Sequence, residues 1–275
     1  EHAFERLFLA PDSTHRFLVA DEVGLGKTLV ARGIIAKTID HLWDTVPRID
    51  ILYICSNGSI ARQNLTKLRV SGADERSVAL ATRLTRLATQ LAPKEGQRSL
   101  ADSKLNFVSF TPRTSFDMGH ATGRADERVV LFHLLFPEVG RWTALANLLQ
   151  GNIANSDNWR GRLASWAGGI EPGIKAAFTE AFAADADLRD DLDALIDGPF
   201  ARIRPKWPAD LRFQRNDVIG RLRRVLAATC IRALEPDLVI MDEFQRFKSL
   251  LETRADKQDS AAQLAQALFS ATTPE

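Results

Sequence analysis

Cysteine is scarce in this chain. Only Cys55 and Cys230 occur in 275 residues, both inside apolar runs, which excludes a disulfide framework or a cysteine-built zinc site and fits a reducing compartment. Net charge is nearly missing too, with 36 Lys plus Arg against 35 Asp plus Glu. Any nucleic-acid surface must therefore be a local patch rather than a global field. Long apolar runs are also lacking, since the longest, "VVLFHLLF" at 129–136, is too short to cross a bilayer. "EHAFERLFLA" at the start has neither the basic nor the apolar region of a signal peptide. The five histidines form no His-Glu-x-x-His or comparable cluster, so a metalloenzyme reading has no support. No internal repeat stands out. The expectation is a soluble, cytoplasmic protein with no membrane partner, in which the sequons "NGS" (57–59) and "NLT" (64–66) are coincidences.

What is present is a core and a rhythm. An apolar fraction of 45% gives ample surface to bury, enough for one large domain or a core with a sizeable insertion. From 16 to 110 the pattern predicts strand, helix, strand, helix, strand. "RFLVA" (16–20) reads as a short strand. A helix follows from about Lys27 to Trp43, with Leu29, Val30, Ile34, Ile35 and Ile39 as its apolar residues. "IDILYIC" (49–55) reads as a buried strand and "SIARQNLTKLRV" (59–70) as a helix. Residues 74–92 read as another helix, and "LNFVSF" (105–110) as a third strand. Strand character returns in "DLVIMD" (237–242). Alternation of this kind favours a parallel sheet covered by helices.

Residues 117–232 break the rhythm. They hold Trp142, Trp159, Trp166 and Trp207, and several helical stretches, the last over about 215–234. The reading is an α/β lobe of 1–116 and 233–275 with a helical insertion between. The tryptophans suit either a stacking platform for bases or a plain core, and core is the commoner use. "DADLRDDLDALID" (185–197) lacks the glycine and terminal glutamate of a calcium loop, so its acids read as a solvated helix face. "RLRR" (221–224) reads as phosphate contacts or, more commonly, a solvated basic face.

Two motifs carry chemistry. A triphosphate needs backbone N–H groups aimed at its oxygens, a helix N-terminus behind them, a lysine, and a hydroxyl for Mg²⁺. "GLGKT" offers these in Gly24, Leu25, Gly26, Lys27 and Thr28. The usual pattern places a glycine where this chain has Asp21, and the bland alternative is a glycine turn capping a helix with a surface lysine. The second motif, "DLVIMDEFQ", puts Asp242 and Glu243 directly after four apolar residues. There one carboxylate would hold Mg²⁺ and the other orient the attacking water. A solvated Asp-Glu turn is the alternative.

With these residues the chain resembles the superfamily 2 helicases and ATPases, especially their Swi/Snf-like branch, whose phosphate loop takes the form "DE-x-GLGKT" found at Asp21–Thr28. Ser56, Asn57, Ile60, Ala61 and Gln63 lie at the spacing of motif Ia, "SFTPRTSF" (109–116) where motif Ib would follow, and "SAT" (270–272) resembles motif III. Against the family pattern stand Ser56 and Asn57 in place of Pro-Thr, Thr273 in place of a proline, and "DEFQ", which resembles superfamily 1. That branch carries neither "DEVGLGKT" nor "SAT". No glutamine precedes Gln63, so no adenine contact is assigned.

The resemblance implies a P-loop NTPase, the first RecA-like lobe: a doubly wound parallel sheet with a helical insertion subdomain. It implies ATP and Mg²⁺ as cofactors and DNA-dependent ATP hydrolysis coupled to translocation, most simply along double-stranded DNA. Lys27 and Glu243 are the catalytic residues it implies, Thr28 and Asp242 the metal ligands, and Gln245 a nucleotide sensor. Asn57, Arg62, Gln63 and Thr111 are the implied nucleic-acid contacts. Because the chain begins without methionine and ends after "ALFSATTPE", it reads as a fragment, with a second motor lobe beyond residue 275 and poor activity alone. The competing class is a nucleotide-dependent switch or docking module in a genome-defence or repair complex, gripping a protein partner through the insertion.

Overall fold

The computed structural model describes residues 1–13, 15, 17–19, 26–55, 63–64, 68, 87–90, 92, 103–110, 122–204, 206–234 and 236–242. The chain divides into two compact units. One comprises Glu1–Arg83, Glu95–Phe116 and Leu234–Glu275, the other Leu84–Lys94 and Asp117–Ala233. Residues 84–94 thus group with the second unit rather than with the segments that flank them in sequence.

The first unit is mixed α/β. Among its described residues three strands, β1 (Ile49–Ile54), β2 (Leu105–Phe110) and β3 (Leu238–Met241), run parallel in the order β2-β1-β3. β1 is buried along its whole length, as a continuous apolar run in a central parallel strand requires. Its register sets Ile49 opposite Leu105 and Ile51 opposite Leu238. The chain leaves the central strand for one edge and returns on the other side, so the strand order reverses around β1.

Helix α1 (Lys27–Leu42) precedes β1. Ala31, Ile34, Ile35, Ile39 and Leu42 recur at the three- and four-residue spacing of one helical face. Ile35 is fully buried in a cluster with Ile49, Ile51, Tyr53, Phe107 and Leu238, and the other four pack against it. Leu29 and Val30, read from sequence among the apolar helix residues, do not join this cluster. Leu29 lies two residues before Ala31, about 200° around the helix. The rotation that buries Ile35 therefore leaves Leu29 71% exposed and Val30 38% exposed.

The strand expected at 16–20 is not formed by its described residues. Phe17, Leu18 and Val19 have no regular structure, and Leu18 is 64% exposed. A strand needs a neighbour for its backbone groups, and local bonds hold this stretch elsewhere. Ser13 Oγ donates to Arg6 O (2.6 Å), the His15 ring bonds Leu7 O (2.9 Å), and Phe17 meets His2 edge-on with centroids 5.9 Å apart.

At the amino edge of the sheet a polar cluster accompanies the backbone bonds from Ile49 N to Lys104 O (2.8 Å) and from Asp237 N to Asp50 O (2.9 Å). The Asp50 carboxylate accepts from Asn106 Nδ2 (2.8 Å) and pairs with Arg48 (2.7 Å), while the Asp237 carboxylate accepts from the Asp50 backbone N–H (2.8 Å). Burial pushes the Asp50 carboxyl up, against the opposing pull of Asn106 and Arg48.

The second unit is helical: α2 (Ala125–Val139), α3 (Trp142–Leu149), α4 (Ser156–Ala164), α5 (Pro172–Ala184), α6 (Ala186–Asp197) and α7 (Ala209–Leu234), with a four-residue α-helical piece at Leu87–Gln90. α7 starts six residues earlier than its apolar stripe suggested. Side-chain acceptors cap α4, α5 and α6, from Asn155, Glu171 and Asp185. Buried arginines satisfy the carbonyls left open where α3 ends. Arg128 donates to Leu149 O (2.8 Å) and Gln150 O (3.3 Å), and Arg215 to Gly151 O (2.8 Å). Burial lowers the Arg128 pKa to about 10. A buried ion pair, Arg223 Nε to Glu127 Oε2 at 2.9 Å, joins α7 to α2.

Trp159 is core: it is 1% exposed and its indole N–H donates to Ala146 O (2.8 Å). Two weaker sequence signals meet each other, because Arg221 of "RLRR" pairs with Asp191 (2.5 Å) and Asp185 (3.3 Å) of the acidic stretch. Asp187, Asp190, Asp191 and Asp193 face solvent, as a solvated helix face does. No helix among the described residues is long and apolar enough to cross a membrane.

Candidate functional site

Topology brings two of the predicted motifs to one edge. α1 has 16 residues and β1 has six, with only residues 43–48 between them. The helix is about 24 Å long and lies on the face of β1, so the chain must double back. The first turn of α1 therefore sits over the carboxyl end of the sheet. Side chains alternate across a strand, and Leu238 and Ile240 belong to the cluster that receives Ile35. Asp242, next in that alternation, projects on the same face. Lys27, Thr28 and Asp242 thus share one face and one edge, the edge at which open α/β sheets hold ligands near a reversal of strand order.

Each component has a local cause. Gly26 takes φ +88°, a left-handed conformation that an L side chain resists, and its carbonyl accepts from Leu29 N (2.8 Å) and Val30 N (3.1 Å) to start the helix. Among the described residues no side chain caps α1, and the first N–H groups of a helix are a place where an anion can bind. Lys27 is half-buried and Thr28 exposed. Asp242 extends the parallel ladder by one bond, its N–H donating to Ile54 O (2.8 Å).

Two residues that the sequence did not single out as site residues orient Asp242. Tyr53 Oη donates to its Oδ2 at 2.6 Å, and Asn64 Nδ2 donates to the same oxygen (3.1 Å) and to Tyr53 Oη (2.8 Å). Burial, and then the Asp242 carboxylate, push the Tyr53 phenol well above its ordinary pKa, so it stays a donor. A signal was available: Tyr53 is the single tyrosine of the chain, set in a buried strand where its hydroxyl requires a partner.

Gln63, beside Asn64, is helical and exposed. Gly24, Leu25, Asn57, Arg62, Thr111, Glu243, Gln245 and the "SAT" at 270–272 lie outside the described residues. No group of three His, Cys, Asp or Glu that could hold a metal exists among the described residues. Thr28 and Asp242 offer two oxygens. That donor set suits Mg²⁺, which keeps several waters and binds through one or two protein groups with substrate phosphates. Comparison with family profiles, with curated proteins and with solved structures yields no match.

Proposed function

We propose that the first unit is the nucleotide-binding lobe of an ATP-dependent DNA translocase of the superfamily 2, Swi/Snf-like kind, with a P-loop NTPase fold. One observation carries the reading: the Gly26-capped start of α1 and Asp242 at the end of β3 lie on the same face and edge of a parallel sheet. A phosphate chain lying on the first N–H groups of α1 would meet Lys27, and Thr28 and Asp242 would hold Mg²⁺ between them. The ion would screen the charge that develops on the transferred phosphoryl. Glu243 follows Asp242 and is assigned to orient water, and Gln245 to sense the nucleotide. Asn57, Arg62, Gln63 and Thr111 are assigned to the duplex. Hydrolysis by this chain alone is expected to be slow, because the arginine that completes such sites belongs to a second lobe.

The test is titration of the 275-residue chain with a fluorescent ATP analogue, with and without Mg²⁺. Lys27→Ala should weaken binding at least tenfold, and Asp242→Asn should remove the Mg²⁺ dependence. Equal affinity of the native chain and Lys27→Ala would overturn the assignment. ATPase activity stimulated by a protein but not by duplex DNA would favour a nucleotide-dependent switch over a translocase.

A further inference from the structure

We infer that the second unit carries a binding surface for single-stranded nucleic acid, built by the segment that joins α6 to α7 and by the first turns of α7. The sequence there is "ARIRPKWPADLRFQ", 201–214. Arg202, Arg204, Lys206 and Arg212 are all exposed, and Asp210 is the single acid among these residues. The cations are notable for what they do not touch. Elsewhere in this unit Arg124, Arg141, Arg162, Arg221 and Arg223 each pair with a carboxylate, while Arg160, Lys175, Arg189, Arg224 and Arg232, scattered along the helices, pair with none among the described residues. None of the four has a carboxylate partner among the described residues. Four cations against one acid within eleven positions form a local positive field that the chain's balanced total conceals.

Aromatic groups lie among these charges. The Trp207 ring packs at a tilt of 31° against buried Phe200 with centroids 4.2 Å apart, and the Arg204 guanidinium sits 5.8 Å from the Trp207 centroid. The buried phenyl ring thus holds a ring and a cation together at the surface. Phe213, one turn into α7, is 61% exposed, as is Ile203. Cations that follow phosphates, with rings on which unpaired bases stack, are the means by which proteins hold single strands without sequence preference. A duplex hides its bases and would leave Phe213 unused. A membrane surface requires a broad apolar helix face, whereas α7 begins Ala-Asp-Leu-Arg-Phe-Gln, with charged and polar groups between its apolar ones. The inference uses residues of the second unit alone and holds whether or not the carboxyl edge takes nucleotide.

The experiment is fluorescence anisotropy of the full chain, without nucleotide, on a labelled oligothymidylate of about 20 nucleotides, longer than the ~4–16 that one comparable groove covers. Four phosphate contacts on a single strand predict that R202Q/R204Q/K206Q/R212Q lowers the salt slope of binding by about 3 and weakens binding at least ~10-fold at low salt. F213A should weaken binding without changing the slope. K175Q/R189Q, which removes exposed cations of the same unit, should change neither. R202Q and R212Q singly, each with a slope change near 1, serve if the quadruple variant fails to fold. An unchanged slope in the quadruple or the single variants overturns the inference. So does an equal loss in K175Q/R189Q, a larger loss of duplex than of oligothymidylate binding in the quadruple variant, or binding by these residues to anionic vesicles but not to the oligonucleotide. Loss of ATP-analogue binding in Lys27→Ala with oligonucleotide binding intact would separate this surface from the nucleotide site.

Discussion

Tyr53 and Asp242 meet through a 2.6 Å hydrogen bond that runs from the central strand to the residue closing its neighbour. The phenol donates and the carboxylate accepts, and Asn64 donates to both. One carboxylate oxygen is thereby held by two donors, which fixes the plane of the group at the carboxyl edge.

Tyr53→Phe keeps the buried ring and removes the bond. Loss of one partly buried hydrogen bond is expected to cost about 1 kcal/mol of stability, with Asn64 still holding Asp242. Mg²⁺-nucleotide affinity should fall several-fold, with no change in Mg²⁺-free binding. Chemical denaturation and nucleotide titration measure the two effects separately.

Alkaline pH tests the same bond by linkage. The folded-state pKa of Tyr53 is raised by burial and by Asp242. The folded chain therefore keeps this proton after the unfolded chain has released it. The contribution is fully present below pH ~10, the ordinary tyrosine value, and is lost as pH rises above it. Native stability should thus fall more steeply above pH ~10 than that of Tyr53→Phe. Because this is the only tyrosine, tyrosinate absorbance should appear only with unfolding. Ionisation of the folded chain at the ordinary value would contradict the bond.

Asp50 gives a second pH test, in the acid range. Its folded-state pKa is raised, chiefly by burial. The sign is again that of a group holding its proton more tightly when folded, so its contribution is lost as pH rises through the raised value. Asp50→Asn keeps an acceptor for Asn106 and cannot ionise. The stability of the native chain relative to Asp50→Asn should therefore decline from about pH 4, the ordinary Asp value, towards neutrality. Denaturation at several pH values reads the difference, and a gap that moves in the opposite direction would contradict the raised pKa.

Much of this architecture was legible in the sequence, for physical reasons that differ by element. "IDILYIC" and "LNFVSF" are short apolar runs that only a buried strand accommodates, and both are strands. α1 was legible in extent but not in rotation. Leu29 and Val30 are as apolar as Ile35, and only the sheet decides which side is covered. "RFLVA" has strand composition, yet Ser13 and His15 bond the Arg6 and Leu7 carbonyls and Phe17 meets His2, a tertiary preference that no local pattern contains. At the candidate site, Asp242 was legible because an acid after four apolar residues is conspicuous. Tyr53 and Asn64 were not, since their roles depend on β1 and β3 being neighbours, a pairing across 189 and 178 positions.

The buried pair of the helical unit has a strong expected signature. Arg223 and Glu127 are each almost fully buried, and Gly123 sits beside them at φ +65°. Removing one partner leaves a buried charge, so Glu127→Ala or Arg223→Ala is expected to cost roughly 3–5 kcal/mol. The double substitution should cost less than the sum of the single ones. A Cβ on Gly123 would lie 2.3 Å from Arg223 Nε and from Glu127 Oε2, so Gly123→Ala must displace the pair as well as strain the backbone. Thermal denaturation of the four variants forms the test, and additive losses would show that the pair is not coupled.

Two glycines at either side of the first turn of α1 separate backbone strain from packing. Around both Gly26 and Gly33, an added Cβ would meet nothing within 4 Å, so neither substitution is opposed by a clash. They differ in conformation: Gly26 has φ +88°, whereas Gly33 lies inside the helix without a positive φ. Alanine at 33 should stabilise the chain by about 0.5–1 kcal/mol, since glycine in a helix costs that much. Alanine at 26 should destabilise it by about 1–2 kcal/mol, the penalty for an L side chain in the left-handed region. If the start of α1 receives phosphate, Gly26→Ala should also weaken ATP-analogue binding, by tilting the first N–H groups, while Gly33→Ala leaves binding unchanged. Denaturation and nucleotide titration of the pair decide the matter. A Gly26→Ala chain that is less stable but binds normally would make Gly26 a helix cap and nothing more.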